Sequence, residues 1–201
     1  MCFLPAQARK GGGTLKSIRW FWLAAALTLA ADLASKYVSF RALGGVSPPG
    51  HICDDACGHY YWVARNVLRF VNHYNTGGAF GWASGNLVLF LAAAAVLVPV
   101  LVLTAYHCRD PHAPLWGLGL IVGGAIGNLY DRLFHPGVRD FIEIINPRTG
   151  YALWPVFNIA DVTIVVGVVV YLIWSLIDVS RSCRKSGQGG EADDAAAQQP
   201  E

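Results

Sequence analysis

Four long hydrophobic stretches dominate the pattern of this chain. Trp20 to Phe40 is apolar except for Asp32 and Lys36, and Leu87 to Tyr106 carries no charge at all. Leu115 to Tyr130 is shorter and rich in glycine, and Val156 to Ile177 holds one charge, Asp161. A helix needs about 20 apolar residues, roughly 17 to 25, to cross the hydrocarbon of a bilayer. Three stretches meet that length alone, and the third meets it if it continues through Asp131 and Arg132 to one interface. The pattern predicts a mainly α polytopic membrane protein with four transmembrane helices. Between the first two stretches, Tyr60-Tyr-Trp-Val and Val67-Leu-Arg-Phe-Val-Asn-His-Tyr are aromatic and β-branched, which predicts short strands and a small extracytoplasmic β-sheet. An irregular loop is the alternative reading of that region.

Composition agrees with the pattern. Hydrophobic residues make up 54% of the 201 residues and charged residues only 14%, against about 25% charged in a soluble domain. The net charge of +2 provides no basic field for nucleic acid. The basic residues before the first stretch (Arg9, Lys10, Lys16, Arg19), after the second (Arg109) and after the fourth (Arg181, Arg184, Lys185) place both termini in the cytoplasm. Arg41, Arg65, Arg69, Arg132, Arg139 and Arg148 fall on the other side, in longer segments where charge counts less. The first stretch is longer than a cleaved signal core and holds Asp32 and Lys36, so it is read as a retained helix. Residues 1–17 then form a cytoplasmic arm, 18–180 one membrane domain with outer loops at about 41–86 and 133–155, and 181–201 a disordered cytoplasmic tail. In the first outer loop, Cys53 and Cys57 lie close to His51 and His59. A disulfide, free thiols and a metal site all fit there, although the spacing is not a standard zinc pattern.

Each charge at membrane depth needs a reason, because an unpaired one costs several kcal/mol. Asp32 and Lys36 stand four apart and share a helix face, which suits a supporting ion pair. Asn128, Asp131 and Arg132 end the third stretch behind Gly123-Gly-Ala-Ile-Gly127, whose small residues permit close helix approach. Alone, those three read as an interfacial Asp–Arg cluster. Asp161 in Phe157-Asn-Ile-Ala-Asp161 has no basic neighbour in sequence, and Asp140 lies in the loop before it. Both sit at the outer face, where two carboxyls can share a proton. A serine–lysine site built on Ser39 and Lys36 competes poorly, because Asp32 keeps the lysine charged. An ion pathway competes poorly too, because the polar groups gather at one face instead of crossing the membrane.

Five ordered blocks carry a resemblance to a known family: Asp32-Leu-Ala-Ser-Lys36, Asn75-Thr-Gly-Gly-Ala-Phe-Gly81, Gly123-Gly-Ala-Ile-Gly-Asn-Leu-Tyr-Asp-Arg132, Val138-Arg-Asp-Phe141 and Phe157-Asn-Ile-Ala-Asp161. Over about residues 18 to 178 the chain resembles lipoprotein signal peptidase, or signal peptidase II. The resemblance implies an aspartic endopeptidase of the bacterial inner membrane, with its site near the periplasmic face. The implied partners are membrane lipid and prolipoproteins, cleaved just before a diacylglyceryl-modified cysteine by a chain expected to be a monomer. It implies Asp140 and Asp161 as catalytic residues. Asn75, Gly124, Asn128, Arg132, Asn158 and Ala160 are implied to line the site, with Gly124 leaving room for substrate and Asp32 and Lys36 in support. No metal and no organic cofactor are implied. The stretch from Ala42 to His59 is longer than the family pattern.

Overall fold

The buried residues of the first helix recur every three or four positions: Phe21, Ala25, Thr28, Asp32, Lys36 and Ser39. That spacing draws one stripe along a helix, apolar at one end and polar at the other. The computed structural model describes residues 13–44, 60–77, 87–108, 110 and 112–197, and the expectations for Cys53, Cys57 and most of Ala42 to His59 lie outside them. The elements run α1 (Gly13–Leu43), β1 (Tyr60–Ala64), β2 (Leu68–Asn75), α2 (Leu87–His107), α3 (Leu115–Phe134), β3 (Val138–Ile144) and α4 (Ile159–Ala197).

Among the described residues, three segments are long and apolar enough to cross a membrane: Ile18–Leu43, Val88–His107 and Ile159–Ser180. Most of their surface points outward, as lipid-facing helices require, with Val96, Leu172 and Leu176 among the exposed side chains. α3 is the exception. Its five glycines and its polar outer end dilute the apolar content, and it is the helix that the others cover. It packs chiefly against α1 and α4, and less against α2.

Glycine sets how closely α3 is approached. A Cβ on Gly123 would stand 2.5 Å from the Ala25 backbone oxygen, and one on Gly119 would collide with the Phe21 backbone oxygen. Backbone cannot swing aside as a side-chain tip can. Gly119→Ala is therefore expected to cost about 1–3 kcal/mol, read as a lower thermal midpoint in detergent. An unchanged midpoint would mean that α1 and α3 can part without loss.

Along the bundle, the apolar and polar contacts separate by height. Phe21, Ala105, Leu115, Leu118, Ile121 and Val122 form the apolar core at the end away from the sheet. The polar stripe of α1 meets α3, β3 and the start of α4 at the other end.

The sheet has the order β1-β2-β3 and is antiparallel throughout. Asn66, at a positive φ of 61°, turns β1 into β2, a conformation asparagine tolerates better than most residues. β2 and β3 are joined across their buried face by the Arg69 Nε–Glu143 Oε2 ion pair at 2.5 Å, with the guanidinium over the Tyr60 and Trp62 rings. Residues 138–144, expected as loop, are thus the third strand. Val138-Arg-Asp-Phe-Ile-Glu-Ile mixes β-branched and aromatic residues with charges but sets Arg139 beside Asp140 and Phe141 beside Ile142, so no alternation marks it as a strand.

A second difference lies at the C-terminal end, where α4 continues to Ala197 instead of stopping near residue 180. The stretch expected to be disordered holds Gly187, Gly189 and Gly190, which disfavour helix, but it ends in the alanine-containing run Glu191 to Ala197 and has no proline before Pro200.

Candidate active site

The approach of Asp140 to Asp161 begins with a backbone connection. Phe141 and Ile142 of β3 both donate N–H to the Phe157 oxygen, at 3.0 and 2.9 Å, and Phe157 donates back to the Ile142 oxygen at 3.0 Å. This bridge holds the residues just before α4 against β3. Asn158, the next residue, caps the helix. Its Oδ1 accepts the Asp161 N–H at 3.1 Å, and Asp161 Oδ2 accepts the Asn158 N–H at 3.1 Å. That reciprocal pair is a capping box, with asparagine at the cap and aspartate three residues on. Asp161 is thereby fixed in the first turn of α4, where the helix dipole favours negative charge.

Three asparagine amides surround the two carboxylates. Asn158 Nδ2 donates to Asp140 Oδ1 at 2.6 Å, and Asn75 Nδ2, at the end of β2, donates to Asp140 Oδ2 at 3.0 Å. Asn128 Nδ2 donates to Asp161 Oδ1 at 2.9 Å, and its Oδ1 accepts from Asn158 Nδ2 at 3.1 Å. Asp140 and Asp161 are therefore linked through the Asn128–Asn158 pair. Asp140 is 1% exposed, and its carboxyl is pushed up to about 7, first by burial and then by the neighbouring charge of Asp161. Both carboxylates line a cavity of about 260 Å³ together with Asn75, Asn128, Arg132 and Trp154.

The remaining sequence-derived residues stand behind this cavity. Lys36 Nζ reaches Asp32 Oδ2 at 2.7 Å, Asn128 Oδ1 at 2.9 Å and Asp131 Oδ2 at 3.1 Å. Asp131 also takes Arg139 Nη2 at 2.7 Å and the Arg139 backbone N–H at 2.9 Å. Asp32 Oδ1 accepts the Ala160 N–H at 3.0 Å. Two acids and two bases, all buried, thus tie α1, α3, β3 and α4 together with no net charge. Asp131 is accordingly a junction of this network and not half of an interfacial pair with Arg132. Its neighbour Arg132 points elsewhere, donating to the Asn128 backbone oxygen at 3.2 Å and lying 3.9 Å over the Phe90 ring. Ser39 Oγ donates to Asn72 Oδ1 at 2.9 Å, away from Lys36.

Gly124 also has a different neighbour from the one the sequence suggested. A Cβ there would stand 2.7 Å from the Ala160 oxygen and 2.9 Å from Thr163 Oγ1. The room it leaves is filled by the first turns of α4, so it seats the helix that bears Asp161. Ala160 is fully buried in that contact. Sequence reading missed the links of Asp131 to Lys36 and Arg139. The available signal was the helical spacing of Gly127 and Asp131, one position before the Asn128–Arg132 stripe. On that face a Cβ at Gly127 would collide with Asp32 Oδ2.

Apolar helices of crossing length, packed beside two carboxylates that line one cavity, have the build of a membrane-embedded enzyme. The comparisons with known proteins specify which kind. The description "Signal peptidase (SPase) II" belongs to the family profile that matches residues 24–177. The chain is 35% identical to a lipoprotein signal peptidase of Moorella thermoacetica, covering 78% of this chain and 92% of that one. It is 31% identical to that of Bacillus subtilis, covering 79% and 94%. A solved bacterial membrane enzyme, determined in meso at 2.3 Å, superposes with a TM-score of 0.66 at 28% identity, over 83% of this chain and 90% of its own. The chain belongs to the signal peptidase II family and is a bacterial membrane protease.

Proposed function

We propose that this protein removes signal peptides from prolipoproteins, cutting before the diacylglyceryl-modified cysteine, with Asp140 and Asp161 as the reacting pair. The observation that carries the reading is the two carboxylates sharing one cavity inside a shell of amide donors. In the proposed arrangement α3 is the fourth span, both termini are cytoplasmic, and the site lies near the periplasmic face. The sheet, the start of α4 and the ends of α1 and α3 meet at that level. A substrate whose lipid stays in the bilayer then meets water at the site.

The two carboxyls divide the chemistry. Asp140, raised to about 7, holds the proton and donates it toward the scissile carbonyl oxygen. Asp161, held by two N–H donors at a helix start, takes a proton from water, whose oxygen attacks the carbonyl carbon. As the C–N bond breaks, Asp161 passes the proton it took from water to the departing cysteine nitrogen, the hydroxyl formed on the carbonyl oxygen returns its proton to Asp140, and the signal peptide leaves with a new carboxyl group. No metal ion or organic cofactor takes part.

Loss of the Asp140 proton disarms the pair, so kcat/KM is expected to fall as pH rises through about 7. A profile flat from pH 6 to 9 would contradict that division. The cellular test is complementation of a bacterium depleted of its own signal peptidase II. The wild-type chain should clear accumulated lipid-modified prolipoprotein, and continued accumulation would refute the reading.

A further inference from the structure

A second cavity adjoins the one that holds the carboxylate pair. Its volume is about 290 Å³, and it shares Asn75 and Arg132 with its neighbour. The rest of its lining includes Thr76, Phe90, His135 and Gly137, none of which takes part in the chemistry described above. The Arg132 guanidinium, held over the Phe90 ring, stands where the two spaces meet.

The two cavities leave the carboxylate pair in different directions. The lining of the first continues down α4 from Asp161 to Ile164 and Val165, about 5–6 Å further into the helix. Val165 is exposed on the lipid-facing surface there. The second cavity is lined by the outer end of α3 and the turn that leads into β3, with Phe90 on α2 as a side wall. A lipid-modified prolipoprotein arriving from the bilayer has its signal segment in the membrane and its mature chain outside. With the scissile bond at Asp140 and Asp161, the signal segment and the lipid take the inward side, and the mature chain leaves past the second cavity.

Charge decides what that space prefers. Arg132 forms no ion pair among the described residues, and no described Asp or Glu lines the cavity. Burial, and then the charge of Arg139, holds the His135 imidazole below its usual range, so it is uncharged at neutral pH. The one full charge in the lining is therefore a guanidinium. It has five N–H groups, and its hydrogen bond to the Asn128 backbone oxygen occupies one of them.

We propose that this second cavity is the subsite for the residue that follows the modified cysteine, and that it favours an acidic side chain there over a basic one. The inference rests on the reading of Asp140 and Asp161 as the reacting pair. That residue stands two positions, about 7 Å along an extended chain, from the cleaved bond, so the adjoining space is the one it meets.

The test supplies purified wild-type enzyme in detergent with diacylglyceryl-modified prolipoproteins that carry Asp or Lys as that residue. The Asp form should have a KM about tenfold below that of the Lys form, with kcat within about threefold. His135→Glu adds a carboxylate to the lining and keeps the backbone N–H that closes α3. It should bring the two KM values within about twofold of each other or reverse their order. The same Asp and Lys placed at the eighth mature residue, about 20 Å further along an extended chain, should give equal KM values with both enzymes. If His135→Glu does not fold, Thr76→Glu brings the same charge to another part of the lining, with the same expectation.

Equal KM values for the Asp and Lys forms with wild-type enzyme would overturn the proposal. So would a preference that survives the added carboxylate, or one as large at the eighth residue. A response of the variant to charges placed before the cysteine and not after it would give the cavity to the signal segment instead. Failure of the underlying reading looks different: Asp140→Asn or Asp161→Asn enzyme would then cleave both forms as the wild type does.

Discussion

Asp140→Asn and Asp161→Asn are each expected to lower cleavage of a lipid-modified prolipoprotein by at least about 1,000-fold, with the protein still folded and in the membrane. The magnitude follows from what the substitution removes. An amide can neither take a proton from water nor give one to a carbonyl oxygen, and acid–base catalysis of this kind contributes about 100- to 10,000-fold per group. The shape is nearly unchanged, because asparagine keeps one accepting oxygen for the amides around it. At position 161 that oxygen can still complete the cap of α4 by accepting the Asn158 N–H. At position 140 the new NH2 would meet either Asn75 or Asn158, donor against donor, so some stability is lost there as well. At position 161 the new NH2 likewise meets either Asn128 Nδ2 or the Asn158 N–H, so the two variants should match in activity and both lose some stability. Cleavage at more than about a tenth of the wild-type rate by either would take that residue out of the chemistry.

Lys36→Met should have the largest effect on stability. The ammonium is fully buried and is the shared partner of Asp32, Asp131 and Asn128. Its removal leaves two buried carboxylates against the single charge of Arg139. Breaking a buried ion pair from one side costs about 3–5 kcal/mol, because the abandoned charge keeps its desolvation penalty. Adding Asp32→Asn should restore most of that loss by removing the surplus charge. Thermal unfolding of the two variants in the same detergent checks the order. If the single variant were as stable as the double, the network would not be balanced by charge in the way its geometry indicates.

The helices were legible because bilayer thickness sets a length that uncharged sequence either reaches or does not. α2, from Leu87 to His107, contains no Asp, Glu, Lys or Arg and coincides with its stretch almost to the residue. β1 and β2 were legible from their aromatic and β-branched residues. β3 was not, since its meaning depends on pairing with β2 and on the bridge to Phe157, which are long-range contacts. The Asp32–Lys36 pair could be read from its spacing of four, but its third and fourth partners are on α3. Helix packing brings Asp131 and Asn128 to Lys36, and no local pattern announces it. Gly124 shows the same limit from the other side: the sequence marks a place where bulk is forbidden, and only the fold tells that α4, not a ligand, fills it. The Asn158–Asp161 capping box could have been found directly, as asparagine followed by aspartate three residues later before an apolar run.

The central claim is that the cavity between β3 and α4 hydrolyses one peptide bond of a lipid-modified substrate. The most direct measurement is the mass of the products when purified enzyme acts on a prolipoprotein prepared with and without its diacylglyceryl group. The account predicts cleavage of the modified form alone, giving a mature chain that begins at the modified cysteine, and no product from Asp140→Asn or Asp161→Asn enzyme. Cleavage at another bond, or equal cleavage by the aspartate variants, would contradict it.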